Sequence, residues 1–105
     1  MEIVNCTPHV LNIVKKNGEI KDLAPSGVCP RVKSESFEFG EIGGISLTLT
    51  KYGEIEGLPE YSNAHLYVVS RLVFQAAEGR ADLVCPGELV RDSAGKVIGC
   101  KGLSR

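Results

Sequence analysis

The stretch His65-Leu-Tyr-Val-Val-Ser-Arg-Leu-Val-Phe-Gln-Ala-Ala-Glu-Gly79 decides how this chain is organised. Residues 66–69 are apolar and include one aromatic and two β-branched side chains, which is typical of a buried strand. Ser70 can then cap a helix, because its hydroxyl accepts a hydrogen bond from a free backbone N–H of the first turn. Apolar residues recur at helical spacing up to Gly79, which can adopt the left-handed conformation that ends a helix. The stretch predicts an interior strand that passes directly into the only helix, near residues 70–79.

Segments on both sides of this stretch have the signature of strands. Asn17-Gly18 predicts a two-residue hairpin turn with positive φ at both residues, between strands at 11–14 and 19–23. Residues 45–50, Ile-Ser-Leu-Thr-Leu-Thr, alternate strictly, and we expect Ile45, Leu47 and Leu49 to face the core.

The last third predicts three more short strands. Residues 82–85 read as a strand that Pro86-Gly87 ends, and residues 89–91 and 96–100 are predicted to pair around the loop 92–95. With about eight short strands and one helix, the sequence predicts a single α+β domain over residues 1–105. The expected architecture is a twisted, mostly antiparallel sheet or a partly open barrel of short strands, with one helix near 70–79.

Composition argues against several classes of partner. Twelve Lys and Arg residues against thirteen Asp and Glu give a net charge of −1. Neither strong direct binding of nucleic acid nor binding to an anionic membrane is therefore expected. The first residues lack the basic segment and apolar core of a secretory signal, and no run approaches the ~18 apolar residues of a membrane span. We therefore expect a cytosolic protein with its four cysteines as thiols.

Cysteine and histidine residues allow two chemical interpretations that we do not favour. Cys6-Thr-Pro-His9 has the spacing of half a zinc site, with Cys85 and Cys100 as further ligands, but buried thiols and a turn histidine explain the same residues. A Cys/His nucleophilic enzyme is the other interpretation, yet no cysteine lies in a motif that would lower its pKa. The carboxylates of residues 54, 56 and 60 read as a solvated face. We predict no catalytic residue, no metal and no cofactor.

A site for a negatively charged ligand is the more specific hypothesis. Ser70 and Arg71 place a hydroxyl, a guanidinium and free backbone N–H groups at one strand-to-helix junction, which favours a phosphate or a carboxylate. Arg80 and Arg91 could supply further donors, and Tyr67 could stack a base. The structural alternative is that Ser70 only caps the helix, Arg71 extends along the surface, and Arg80 complements the helix C-terminus.

Five segments resemble a family of small proteins common in phages, prophages and bacterial genomes. They are Asn5-Cys-Thr-Pro-His9, Pro25-Ser-Gly27 followed by Arg31-Val32, Tyr52-Gly-Glu-Ile-Glu-Gly-Leu-Pro59, Val68-Val-Ser-Arg-Leu-Val73 and Val90-Arg-Asp-Ser-Ala-Gly-Lys-Val-Ile-Gly-Cys100. The resemblance spans nearly the whole chain and implies no particular reaction. The family is similar in size and in its phage setting to counter-defence proteins, namely anti-CRISPR proteins and sponges that sequester signalling nucleotides.

Residues and resemblance together predict a non-enzymatic phage or prophage accessory protein that acts by binding. Its expected partner is a host defence protein, such as a CRISPR effector nuclease, or a phosphate-bearing small ligand. We expect a homo-oligomer, because one chain of this size offers little concave volume. The alternatives are a small structural or assembly protein of the virion and, less favoured, the Cys/His enzyme.

Overall fold

A computed structural model describes residues 1–105, which form eight strands and one short helix. In chain order the elements are β1 (Glu2–Asn5), β2 (Leu11–Val14), β3 (Ile20–Leu23), β4 (Arg31–Ile42), β5 (Ile45–Glu56), β6 (His65–Val68), α1 (Arg71–Ala76), β7 (Leu83–Arg91) and β8 (Val97–Ser104). Strands hold 54% of the residues and the helix 6%. The predicted α+β class is therefore wrong, because the helix is a single short crossover and the fold is mostly β.

Six strands form one sheet in the order β1-β6-β7-β8-β2-β3, and β4 and β5 form a separate two-stranded sheet. In the larger sheet β1/β6, β6/β7 and β2/β8 are parallel, whereas β7/β8 and β2/β3 are antiparallel. The predicted mostly antiparallel sheet is therefore wrong for these six strands. The physical reason is that α1 carries the chain back across the sheet, so that β7 runs parallel to β6. The sheet curls into a nearly closed, barrel-like shape.

Asn5 joins the two ends of this curled sheet. Its side-chain amide donates to the carbonyl oxygen of Leu23 at the end of β3 at 2.9 Å and to that of His9 at 2.8 Å. The backbone carbonyl oxygen of Asn5 accepts a hydrogen bond from the backbone N–H of Ser26 at 2.9 Å. The side-chain oxygen accepts from the backbone N–H and the hydroxyl of Thr7 at 2.9 and 2.6 Å. The outer edges of β1 and β3 are therefore linked through one buried residue rather than through a strand ladder.

The hydrophobic core lies between the sheet and α1. Its buried members are Cys6, Tyr67, Val69, Val73 and Leu83, and partly buried side chains from the base of β4 and β5, the following loop and the helix cover them. Alternation along β1 places Val4 against this core and its neighbour Ile3 on the other face of the sheet.

The strand-to-helix junction forms as predicted, although the helix is shorter. The Ser70 hydroxyl accepts a hydrogen bond from the backbone N–H of Val73 at 3.3 Å, and the helix ends at Ala76. Gly79 has a φ of 81° in the turn that follows. No helix in the structure has the length and apolar character needed to cross a membrane.

The predicted hairpins form with two differences in detail. β2 and β3 pair around Asn17-Gly18, but only Gly18 has a positive φ, because the turn is longer than two residues and closes from Lys15 N to Glu19 O at 2.7 Å. β7 and β8 pair around residues 92–95, where the Asp92 side chain accepts from the backbone N–H of Ala94. Pro86-Gly87 does not end a strand, since β7 continues through it to Arg91.

β4 and β5 form a long arm that projects from the body. The two strands of 12 residues each pair over almost their whole length and turn at Gly43-Gly44, with φ of 59° and 80°. The predicted inward direction of residues 45–49 is wrong, because Ile45 is 68% and Leu49 51% exposed, while Leu47 is only half-buried. The arm gives the chain a radius of gyration of 16.9 Å, whereas roughly 13 Å is typical of a compact domain of this length.

Candidate functional site

A groove lined by residues of β1, β2, β3, β7 and β8, with the turn after β2, is the largest cavity of the structure. It has a volume of about 840 Å³, within the ~300–1,000 Å³ range of small-molecule sites. Strands from both halves of the sheet contribute its apolar floor. The floor residues are Ile3, Ile13, Val14, Leu23, Val90 and Leu103.

Four lysines surround this apolar floor. Lys15 and Lys16 follow β2, Lys21 lies in β3 and Lys101 lies in β8. None of them forms an ion pair within 4.0 Å, and no Asp or Glu lines the groove. Glu88 is the cross-strand neighbour of Lys101, but the two charges do not make contact. A concave surface with charges of one sign concentrates the field and attracts a ligand of opposite sign.

Gly87 sets how closely β7 and β8 approach beside the groove. A Cβ at this position would lie 2.8 Å from the carbonyl oxygen of Gly102 and closer still to that of Lys101. Both acceptors are backbone atoms, so no side-chain movement could make room. The glycine therefore permits the close approach of β7 to the segment of β8 that carries Lys101.

Ser70 and Arg71 of the predicted ligand site make contacts within the chain. The Ser70 hydroxyl is the helix cap already described. The Arg71 guanidinium donates to the Ser104 hydroxyl at 3.3 Å and lies 5.8 Å from the centre of the Phe74 ring. Both residues are exposed, but neither lines a cavity.

Arg80 is held by a buried carboxylate. It donates to both carboxylate oxygens of Asp82 at 2.7 Å and to the carbonyl oxygen of Pro59 at 2.9 Å. Asp82 is 3% exposed and also accepts from the backbone N–H of Ser62. The hydrogen bonds from Arg80 are the main reason that the pKa of Asp82 is lowered, and the same contact raises the pKa of Arg80. Arg80 thus fastens the loop before β6 to the start of β7.

Tyr67 and Arg91, the other two predicted ligand-binding residues, do not line a cavity either. Tyr67 is 9% exposed in the core, and its ring stacks on that of His65 at 5.7 Å between centroids. Arg91 donates to the carbonyl oxygen of Gly95 at 2.9 Å in the last hairpin. The structure does not gather the five predicted residues around one cavity, and Arg80 alone borders a shallow hollow beside the helix.

Three of the four thiols, Cys6, Cys85 and Cys100, are buried, whereas Cys29 is exposed. Burial is the main cause that raises the pKa of Cys6 and of Cys85, so both favour the protonated form. His9 is exposed, and its backbone carbonyl oxygen accepts a hydrogen bond from the side-chain amide of Asn5. No three His, Cys, Asp or Glu side chains lie close enough together to hold a metal ion.

The four groove lysines are the residues that sequence reasoning missed. Three of them lie within the seven residues 15–21, around a turn already identified from Asn17-Gly18. This local basic cluster is a signal that the sequence carried, and it could have marked the hairpin as a site for anions. The contribution of Lys101 depends on the pairing of β8 with β2, which the sequence does not reveal.

No protein-family model, no curated protein and no solved structure matches the chain.

Proposed function

We propose that this protein acts by binding, as a phage or prophage counter-defence protein that sequesters a phosphate-bearing small ligand in the lysine-lined groove. The observation that carries the proposal is the set of four unpaired lysines around an apolar cavity without a lining carboxylate. The resemblance of the chain to a phage and prophage family supports the biological setting.

The groove suits a nucleotide better than a bare anion. Lysine ammonium groups bind phosphate as point charges. The floor of six aliphatic side chains offers an apolar surface for a base or sugar face. A ligand with phosphate at one end and a flat apolar part at the other therefore matches both features. The net charge of −1 gives the protein as a whole no attraction for long polyanions. Selectivity for a phosphate-bearing ligand therefore has to come from the groove.

The thiols of Cys6 and Cys85 lie in the core, where burial raises their pKa, so neither is suited to be a nucleophile. A thiol becomes a nucleophile as the thiolate, which burial disfavours at both positions. Ligand capture needs no such group.

Titration calorimetry with ADP and with cyclic di-AMP tests the groove. We expect binding of at least one probe, and Lys21→Gln or Lys101→Gln should each weaken it by about tenfold or more through loss of a charge-assisted hydrogen bond. Lys96→Gln is the matched control, because Lys96 is exposed on the last hairpin and does not line the groove. Equal weakening by the control variant, or no heat with either probe, would contradict the proposal.

Arg71→Ala separates this site from the one predicted at the helix. Arg71 does not line the groove, so we expect its removal to leave probe affinity unchanged. If Arg71→Ala abolishes binding while Lys21→Gln retains it, the ligand binds at the strand-to-helix junction instead.

The projecting arm favours a second candidate, a small structural or assembly protein of the virion. Long exposed hairpins are suited to joining neighbouring subunits, and the chain extends over 52 × 40 × 23 Å. Abundant incorporation into purified particles would support this role, and absence from particles together with probe binding would reject it.

A further inference from the structure

The tip of the β4–β5 arm has one apolar face and one polar face. The register places Phe37 opposite Leu49 and Ile42 opposite Ile45. Lys51 Nζ lies 5.9 Å from the centre of the Phe37 ring, which shows that both side chains share this face. Phe39, two residues after Phe37, is exposed and lies at the bulge between Glu38 and Gly40. We call these six apolar side chains the arm face: Phe37, Phe39, Ile42, Ile45, Leu47 and Leu49.

The opposite face of the arm is polar. Ser36 and Thr50 lie directly across from each other, with their hydroxyl oxygens 3.1 Å apart. Glu38 opposes Thr48, and Glu41 opposes Ser46. This alternation is the pattern of a sheet that covers an apolar surface on one side and meets water on the other.

Nothing within the chain covers the arm face. Phe37, Phe39, Ile42, Ile45 and Leu49 are 48, 67, 69, 68 and 51% exposed. With about 200 Å² for a phenylalanine and somewhat less for an aliphatic side chain, these five expose on the order of 500 Å² of apolar surface. An isolated two-stranded hairpin is at best marginally stable in water, so an arm of this length gains much from a covering surface.

The area and the charges of the arm face fit a second copy of the same chain. Two such faces in contact bury on the order of 1,000 Å² of apolar surface, which with their polar borders reaches the standard size of a specific interface. Glu35 and Lys51 oppose each other beside Phe37 and Leu49, yet form no ion pair within the chain. Each face thus carries one positive and one negative charge next to its apolar centre, which is self-complementary under a two-fold axis.

We propose that the arm face packs against the same face of a second copy, so that the protein is a two-fold dimer joined through its arms. The two hairpins then form a two-layered sandwich, with Glu35 of each copy near Lys51 of the other. This inference does not depend on the ligand in the groove, because no residue of the arm lines that cavity.

Sedimentation equilibrium of the full chain at roughly 100 µM tests the dimer, a concentration that populates any association with a micromolar Kd. We expect a dimer mass, and Leu49→Lys should weaken association by at least about 30-fold, as for a central interface residue. Thr48→Lys is the matched control, since it adds the same charge one residue away on the polar face. A monomer at this concentration, equal weakening by both variants, or a dimer unaffected by Leu49→Lys would each overturn the proposal.

A charge exchange keeps the test valid even if Leu49→Lys impairs folding. Glu35 and Lys51 are exposed, so their substitution does not disturb a core. Glu35→Lys and Lys51→Glu should each weaken the dimer, and the double variant should restore it, because it rebuilds the complementary pair across the axis. Failure of the double variant to restore association, or growth of the wild type into open-ended assemblies, would reject the two-fold arrangement.

Discussion

The curled sheet and the β4–β5 arm are stabilised in different ways, although both are built from strands of ordinary composition. All 12 buried residues lie outside β4 and β5. The body has a core under α1. Its buried Asp82 carboxylate pairs with Arg80, and Asn5 links the two ends of the sheet. The arm has a long ladder of cross-strand pairs, interrupted by two register shifts, but an uncovered apolar face. Beyond its base, the arm therefore depends mainly on backbone pairing and a few exposed cross-strand contacts, whereas packing stabilises the body.

Removal of the Arg80 guanidinium should cause the largest loss of stability, because Arg80 is the partner of the buried Asp82 carboxylate in the body. Arg80→Ala leaves the Asp82 carboxylate buried without its partner, and we expect a loss of about 3–5 kcal/mol in the free energy of unfolding. Urea denaturation followed by circular dichroism measures it. Lys33→Ala is the control from the arm, where the Lys33–Glu56 pair is 57 and 62% exposed, and should cost less than about 1 kcal/mol. Similar losses for the two variants would contradict the contrast between the regions.

Two identical truncations compare the regions directly. Leu83 is fully buried and Leu49 is half exposed, at 0 and 51%. Leu83→Ala should cost about 2–5 kcal/mol through lost burial and a cavity, while Leu49→Ala should remain within about 0.5 kcal/mol in the monomer. The measurement is denaturant unfolding at a concentration low enough to keep the chain monomeric. A large loss for Leu49→Ala under these conditions would mean that the arm is stabilised within its own chain.

The Arg80–Asp82 pair should also make the stability depend on pH. This effect is smaller and more gradual than those of the substitutions above. Hydrogen bonds from Arg80 lower the pKa of Asp82 in the folded state, so the native protein binds fewer protons than the unfolded chain near the ordinary value of about 3.9. The resulting stabilisation is present above that value and is lost as the pH falls through the folded pKa. Thermal denaturation between neutral and strongly acidic pH should show this decrease, and Asp82→Asn should flatten it. An unchanged slope in that variant would assign the acid sensitivity to other carboxylates.

Local features of the fold were predictable because short-range chemistry determines them. Ser70 caps α1 as its position before an apolar helical pattern predicts, and glycines mark the turns after β2 and β7. Alternation at residues 45–50 correctly grouped Ile45, Leu47 and Leu49 on one face. It could not show what lies against that face, and the expectation that they point into the core was wrong.

The direction and order of the strands were not predictable for a different reason. A strand has the same alternating pattern whether its neighbour is parallel or antiparallel, so the three parallel pairings of the large sheet left no trace in the sequence. The groove depends on those pairings, since Lys101 reaches Lys15 and Lys16 only through the contact of β8 with β2. The hypothesis built on Ser70 and Arg71 used the one junction that the sequence revealed, and the wider cavity came from chain segments far apart.

The closure of the curled sheet rests on one short polar side chain, that of Asn5. In a barrel closed entirely by main-chain ladders, the number of strands and their stagger fix the diameter. Here the last gap is spanned by hydrogen bonds of a single residue, so the spacing of β1 and β3 depends on the length and the polar groups of one side chain.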